Sequence, residues 1–208
     1  MSVIIFFVFL KIFILFFFFA LYFIGSMEYT GRIELILGCM YSGKSSELLR
    51  RIRRLKISNR TCIVIKYRRD VRYSDRDMAT HDKQFHVALP CTKLNEAKIE
   101  ALKYDCIGVD EGQFFPDIVD FCEEMANLGK TVIVAALDGN FERKPFGKIL
   151  DLIPKSEEVM KLKAVCIQCG TKASFSSKIS GSREVEIDIG GSDKYIATCR
   201  ACYHEKSI

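Results

Sequence analysis

A chain of 208 residues has room for one main domain and a small appendage. Its 31 Lys and Arg against 26 Asp and Glu leave a net charge of +5. That balance is too mild for a nucleic-acid surface, and no base-stacking motif accompanies it. Nine cysteines, four of them in two C-x-x-C pairs, argue against a secreted disulfide scaffold and for reduced thiols in an intracellular metalloprotein.

Residues 1–26 differ in kind from the rest. Val3 to Ile24 is apolar or aromatic throughout except at Lys11, and nine of the 16 Phe lie there. The run is long enough to cross a bilayer, which takes about 20 residues. It is too long for a signal peptide and lacks a small-x-small cleavage site. Two readings stay open. It is a membrane anchor that leaves the folded part in the cytosol, or the protein starts at Met27, just before the first strand. Lys11 near the centre of a bilayer is costly, and the second reading is preferred.

Arg32–Leu37 reads as a strand. Gly38-Cys39-Met40-Tyr41-Ser42-Gly43-Lys44-Ser45 follows and fits the phosphate-binding pattern G-x-x-x-x-G-K-[ST] at every fixed position. A helix opens at Ser46. A loop placed so can aim successive backbone N–H groups at one phosphate, with the positive end of the helix dipole behind them. Lys44 is placed to reach the outer phosphates of a nucleotide, and the Ser45 hydroxyl to ligate Mg²⁺. Leu48, Ile52 and Leu55 recur at helical spacing. Arg50, Arg51, Arg53, Arg54 and Lys56 are expected on a solvated face.

Thr61–Ile65 reads as a buried parallel strand. Residues 66–84 are polar, aperiodic and long for a plain connector. Thr92 is expected to cap a helix running to about Lys103. Cys106–Val109 is an apolar strand that ends in Asp110-Glu111. Beside a phosphate-binding loop, Asp110 suits a Mg²⁺ role and Glu111 a general base, although an acid pair alone is more often a cap or a surface feature. Pro116 starts a helix whose stripe is Ile118, Phe121, Cys122, Met125 and Leu128, closed by Gly129. Thr131–Leu137 is the next buried strand. Strand–helix alternation with short links implies an α/β parallel sheet with helices on both faces. Asp138–Phe141 leaves the sheet at the edge where ligands bind in such folds.

The C-terminal part starts near Lys155. Cys166, Cys169, Cys199 and Cys202 supply the four thiolates of a closed structural zinc site, with disulfide pairing as the alternative. Twenty-nine residues separate the pairs, enough for a lid over the active site. Val185, Ile187 and Ile189 alternate with Glu186 and Asp188 and end at Gly190-Gly191. His81, His86 and His204 stand apart, His204 being a weak further zinc candidate. The division is therefore 1–26 extension, 27–155 phosphate-loop domain and 156–208 zinc-binding lid. The residues by themselves support a phosphotransferase. They leave open an NTPase that couples hydrolysis to a partner, and a zinc-ribbon binding module. The latter is disfavoured by Glu184, Glu186, Asp188 and Asp193, which repel phosphate backbones.

The phosphate loop, Ile65-Lys66-Tyr67, Asp70-Val71-Arg72-Tyr73, Thr80-His81-Asp82, Asp110 to Ile118, Val132 to Gly147 and Gly190 to Tyr195 together resemble the type II thymidine kinase family in its cellular and poxviral form. The resemblance spans about residues 28–204, and the end soon after Cys202 is more similar to viral members. It implies a RecA-like kinase domain with a zinc-ribbon lasso. It also implies transfer of the γ-phosphate of ATP to the 5′-hydroxyl of thymidine or deoxyuridine, with Mg²⁺ and structural Zn²⁺, in a cytoplasmic homodimer or homotetramer. Glu111 would accept the 5′-OH proton, and Asp110 and Ser45 would hold Mg²⁺. Lys44 and Arg72 would stabilise the transferred phosphate, with Asp70 ordering that loop. Met40, Phe114, Leu137, Phe141, Phe146 and Tyr195 would enclose the nucleoside. Val185, Glu186, Ile187, Asp188, Ile189 and Gly190 would hold the pyrimidine through backbone groups. Cys39, Tyr41, Ser46 and Asn140 depart from the usual Pro, Phe, Thr and Thr, all outside the fixed phosphate-binding positions.

Overall fold

The computed structural model describes residues 31–68, 88–180 and 190–205. Within them, short apolar runs rich in β-branched residues form the strands of one sheet. β1 is Arg32–Gly38, β2 Cys62–Tyr67, β3 Ala88–Cys91, β4 Cys106–Asp110, β5 Thr131–Ala136 and β6 Glu158–Leu162. The order is β3-β2-β4-β5-β1-β6, and every pairing is parallel. β1 is therefore paired on both sides, with Arg32 opposite Thr131 and Glu34 opposite Glu158. Neither β3 nor β6 is marked by an uninterrupted apolar run: Pro90 breaks the first, and Glu158 and Lys161 the second.

Helices cover both faces, as a parallel sheet requires. α1 (Lys44–Ile57) lays Leu48 and Ile52 on Ile36, Val64, Ile133 and Ala135. The opposite face carries the larger core. There Ile33, Leu35, Ile107, Val109, Val132 and Val134 meet Phe115, Ile118, Phe121 and Met125. That second face is covered by α2 (Lys98–Ala101), preceded by a 3₁₀ turn at Leu94–Ala97, and by α3 (Ile118–Asn127). α3 ends as read from the sequence, with Gly129 at φ 79° and its N–H on the Ala126 carbonyl, but Leu128, expected in its apolar stripe, is exposed.

Two expectations change. The helix expected from Thr92 to about Lys103 is shorter and begins as 3₁₀. Thr92 does not cap it, because its hydroxyl donates to the Glu96 carboxylate. The Asp117 carboxylate accepts the free N–H groups of Leu94 and Asn95 instead. Arg51, expected in solvent, is buried. It donates to Glu47 at 2.9 Å, to Glu34 at 2.5 Å and to Glu158 at 2.8 Å, across the like-charged register of β1 and β6.

Beyond β6 the chain forms two small antiparallel sheets. β7 (Ala164–Val165) pairs with β8 (Lys172–Ala173), and β9 (Phe175–Lys178) with β10 (Tyr195–Thr198), before α4 (Arg200–Glu205). Among the described residues, no helix is long and apolar enough to cross a membrane. Residues 1–26 lie outside them.

Candidate active site

The loop between β1 and α1 is built around backbone angles that side chains resist. Gly38 has φ 149°, and a Cβ there would sit 2.6 Å from the Leu162 carbonyl and 2.8 Å from Ser42 Oγ. Gly43 has φ 85° and precedes the helix directly. The Lys44 ammonium folds back onto the Cys39 carbonyl at 2.8 Å, closing a ring of backbone around its own side chain. Burial pushes that ammonium below its ordinary value, opposed chiefly by Glu111. Ser42 Oγ is buried without a hydrogen-bond partner. Buried hydroxyls are normally satisfied, so this orphan at a helix N-terminus fits a loop that awaits phosphate oxygens.

Ser45 faces the end of β4. Its hydroxyl donates to Asp110 Oδ1 at 2.9 Å, the pairing of loop hydroxyl and strand-end carboxylate that suits Mg²⁺. Burial, and then the Glu111 charge, push the Asp110 carboxyl up to about 6. A divalent cation would offset that cost directly. Glu111 has left-handed backbone angles, φ 56° and ψ 42°, an uncommon conformation for a side-chain-bearing residue. Gln113 holds it there. Gln113 Nε2 donates to Glu111 Oε2 at 2.5 Å, and its Oε1 accepts the Leu137 N–H at 3.0 Å. Gln113 is itself buried. No motif spacing marks it, because its importance lies in two contacts made only in the folded chain.

An apolar wall stands beside the acid pair. Met40, Leu137 and Tyr195 are buried together with Phe141 and Phe146 against them. Phe114 meets Phe146 edge-on at 5.5 Å and stacks on Tyr67 at 5.1 Å. The six side chains expected to enclose a nucleoside are thus brought together. The loop carrying Phe141 and Phe146 is fastened by Asn140, whose Oδ1 accepts the N–H groups of Glu142 and Lys144. Tyr203 adds a hydrogen bond to the Phe141 carbonyl at 2.8 Å. Asp70, Arg72, Val185, Glu186, Ile187, Asp188 and Ile189 lie outside the described residues. Gly190 is described and sits before the turn into β10.

The sulfurs of Cys166, Cys169, Cys199 and Cys202 all lie within 4.8 Å of one another, and all nine cysteines are free thiols. A tetrahedron of sulfurs about 2.3 Å from zinc has edges of about 3.8 Å, so the donor set fits that ion. Within the cluster, hydrogen bonding from the Cys199 backbone holds the Cys166 thiol down to about 6, while the Cys199 side chain pushes Cys202 up. His204 is not in this group. It lies 3.3 Å from the Arg143 guanidinium, so the sequence reading of it as a further ligand is set aside.

The arrangement is suited to a nucleotide phosphate and a divalent cation, with a carboxylate near a cluster of apolar and aromatic side chains. Comparison with known proteins agrees. A family model described as thymidine kinase matches residues 31–203. The chain is 55% identical over 184 residues to the cytosolic thymidine kinase of Homo sapiens, covering 88% of this chain and 78% of that one. It is 56% identical over 173 residues to the thymidine kinase of vaccinia virus strain Ankara, covering 83% and 97%. Among solved structures, the flagellar accessory protein FlaH of Methanocaldococcus jannaschii is similar, with a TM-score of 0.50 and 13% identity over 81% of this chain and 84% of that one. At that identity the likeness is of fold alone.

Proposed function

The chain belongs to the thymidine kinase family, and from that premise we propose how its residues divide the work of phosphorylating thymidine. It is an ATP-dependent kinase that transfers the γ-phosphate to the nucleoside 5′-hydroxyl. We take deoxyuridine, which lacks only the thymine methyl, as a second substrate. The observation that best supports the division of roles is the Ser45–Asp110 hydrogen bond at 2.9 Å, with Glu111 fixed beside it by Gln113.

Phosphoryl transfer is mostly positioning and electrostatics. In this reading the loop from Gly38 to Ser45 grips the ATP phosphates. Lys44 moves from the Cys39 carbonyl to the transferred group, and Arg72 joins it from a segment that Asp70 orders. Mg²⁺, held by Ser45 and Asp110, supplies charge neutralisation. Glu111 accepts the 5′-hydroxyl proton. Met40, Phe114, Leu137, Phe141, Phe146 and Tyr195 bury the nucleoside and exclude water from ATP, while Val185 to Gly190 meet the base through their backbone. Zn²⁺ on the four thiolates is structural. We further propose that residues 27–155 and 156–208 act as kinase domain and lid, in a cytosolic homodimer or homotetramer. The human relative's description as cytosolic and the free thiols support the location.

Glu111→Gln tests the core of this reading, since it keeps the shape and removes the proton acceptor. Turnover should fall by about 10²–10⁴ while ATP still binds. Near-normal turnover would rule the assignment out.

A further inference from the structure

Three consecutive residues of the phosphate loop are hydrogen-bonded to three different strands of the cysteine-bearing ribbon. The Cys39 thiol donates to the Ala173 carbonyl of β8 at 3.5 Å. The Met40 backbone N–H donates to Ser176 Oγ of β9 at 3.0 Å, with Met40 8% and Ser176 5% exposed. The Tyr41 hydroxyl donates to the Tyr195 carbonyl of β10 at 3.3 Å. These strands are the ones that the cysteine pairs close. Cys199 follows Thr198, Thr198 pairs with Phe175, and Ser176 comes next. Cys166 follows β7, which pairs with β8, and the Cys39 side chain packs in one buried cluster with Ala173, Ala197, Cys166 and Cys202.

We propose that the zinc-held ribbon anchors the phosphate loop, with Ser176 as the positioning residue, so that zinc retention and ATP binding are thermodynamically linked. The proposal rests on reading the loop as the ATP site and the four thiolates as a zinc site. The physical case is local. The Met40 amide is engaged by Ser176, which fixes the point at which the loop turns and leaves the later amides to face phosphate. Tyr41 holds φ 63°, a left-handed angle that a residue with a side chain resists, so it persists only where its surroundings enforce it. Remove the zinc and β8, β9 and β10 lose their closure. The three bonds holding residues 39–41 then lose their fixed partners. Linkage is reciprocal: whatever order the ribbon lends to ATP binding, bound nucleotide must return to the ribbon.

The test is zinc release from the full-length holoenzyme into excess chelating dye, with and without saturating Mg·ADP. Release should slow five-fold or more when nucleotide is bound, a coupling of ordinary size. In parallel, Ser176→Ala should raise the KM for ATP about ten-fold with a much smaller change in kcat. It should keep four-thiolate zinc at wild-type stoichiometry and lose the nucleotide's protection of zinc. Ser176→Thr, which keeps the hydroxyl, should restore both. Zinc present with the same release rate in either state overturns the link and leaves the kinase and zinc readings intact. Active protein without zinc overturns the zinc reading together with the link. If Ser176→Ala fails to fold, the wild-type release rates decide.

Discussion

Gln113 divides its amide between the two sides of the site, donating a hydrogen bond to Glu111 and accepting one from the Leu137 N–H. Glu111 needs this help, because nothing in its local sequence favours the left-handed backbone at φ 56°. Gln113→Leu preserves size but leaves the Leu137 N–H, a buried donor, without its partner. That alone should cost about 1–3 kcal/mol of stability. The sharper expectation is kinetic: if Glu111 is the base proposed above, kcat should fall well beyond any rise in the KM for thymidine, since that carboxylate loses its orientation and the apolar wall stays. A larger rise in KM than fall in kcat would show that Gln113 serves nucleoside binding instead. The residues of the phosphate loop and the acid pair were legible because their chemistry depends on short spacing along the chain. Gln113 and Ser176 were not. Ser176 and its partner Met40 are 136 positions apart, and one serine among Ser174, Ser176, Ser177 and Ser180 carries no signal of where it returns.

At the scale of elements, the helix behind the phosphate loop is locked in azimuth by charge as well as by Leu48 and Ile52. Arg51 lies two turns beyond Lys44, on the same side of α1, and ties Glu47 of its own helix to Glu34 of β1 and Glu158 of β6. Arg32 adds bridges to Glu34 and Glu158 from the sheet. Removing Arg51 leaves three carboxylates together with half their cationic partners gone. Breaking a fully buried pair costs about 3–5 kcal/mol. With Glu158 partly in solvent, Arg51→Met should cost about 2–3 kcal/mol, lowering Tm by about 4–12 °C.

The pH dependence of that loss has a definite sign. Hydrogen bonding from Arg50, with a further contribution from Arg51, holds Glu47 down to about 2 from an ordinary value of 4.5. A depressed carboxyl contributes stability above its unfolded value, and that contribution disappears as pH falls toward the folded one. The gap between wild type and Arg51→Met, measured as denaturant midpoints, should therefore be full at neutral pH and narrow between about pH 4.5 and pH 2. A gap independent of pH over that window would mean that Arg51 acts by packing alone. The helix itself was plain from its periodicity. The fate of Arg51 was not, because a run of five basic residues looks the same in sequence whether one of them turns inward or none does. The acids that draw it in belong to strands 17 and 107 positions away.

For the whole molecule, the alternation of strands and helices identified the architecture because buried parallel strands are short, apolar and punctuated. It missed the two edge strands, β3, broken by Pro90, and β6, whose Glu158 and Lys161 break the apolar run, although β6 completes the sheet beside β1. The same sheet bears on residues 1–26. β1 is hydrogen-bonded along both edges, to residues 131–136 on one side and 158–162 on the other, and the family match begins at residue 31. A variant that starts at Met27 keeps every residue of all three strands, both core faces, the phosphate loop and the four thiolates. It should therefore show the specific activity and thermal midpoint of the full chain. It should also be free of the self-association that a 22-residue apolar run carrying a single charge promotes in water. Side-by-side assay of the two forms, with fractionation between membrane and supernatant, settles the matter. Equal activity in the supernatant supports a kinase complete from Met27. An inactive Met27 form beside an active, membrane-bound full chain would make the extension an anchor on which the enzyme depends.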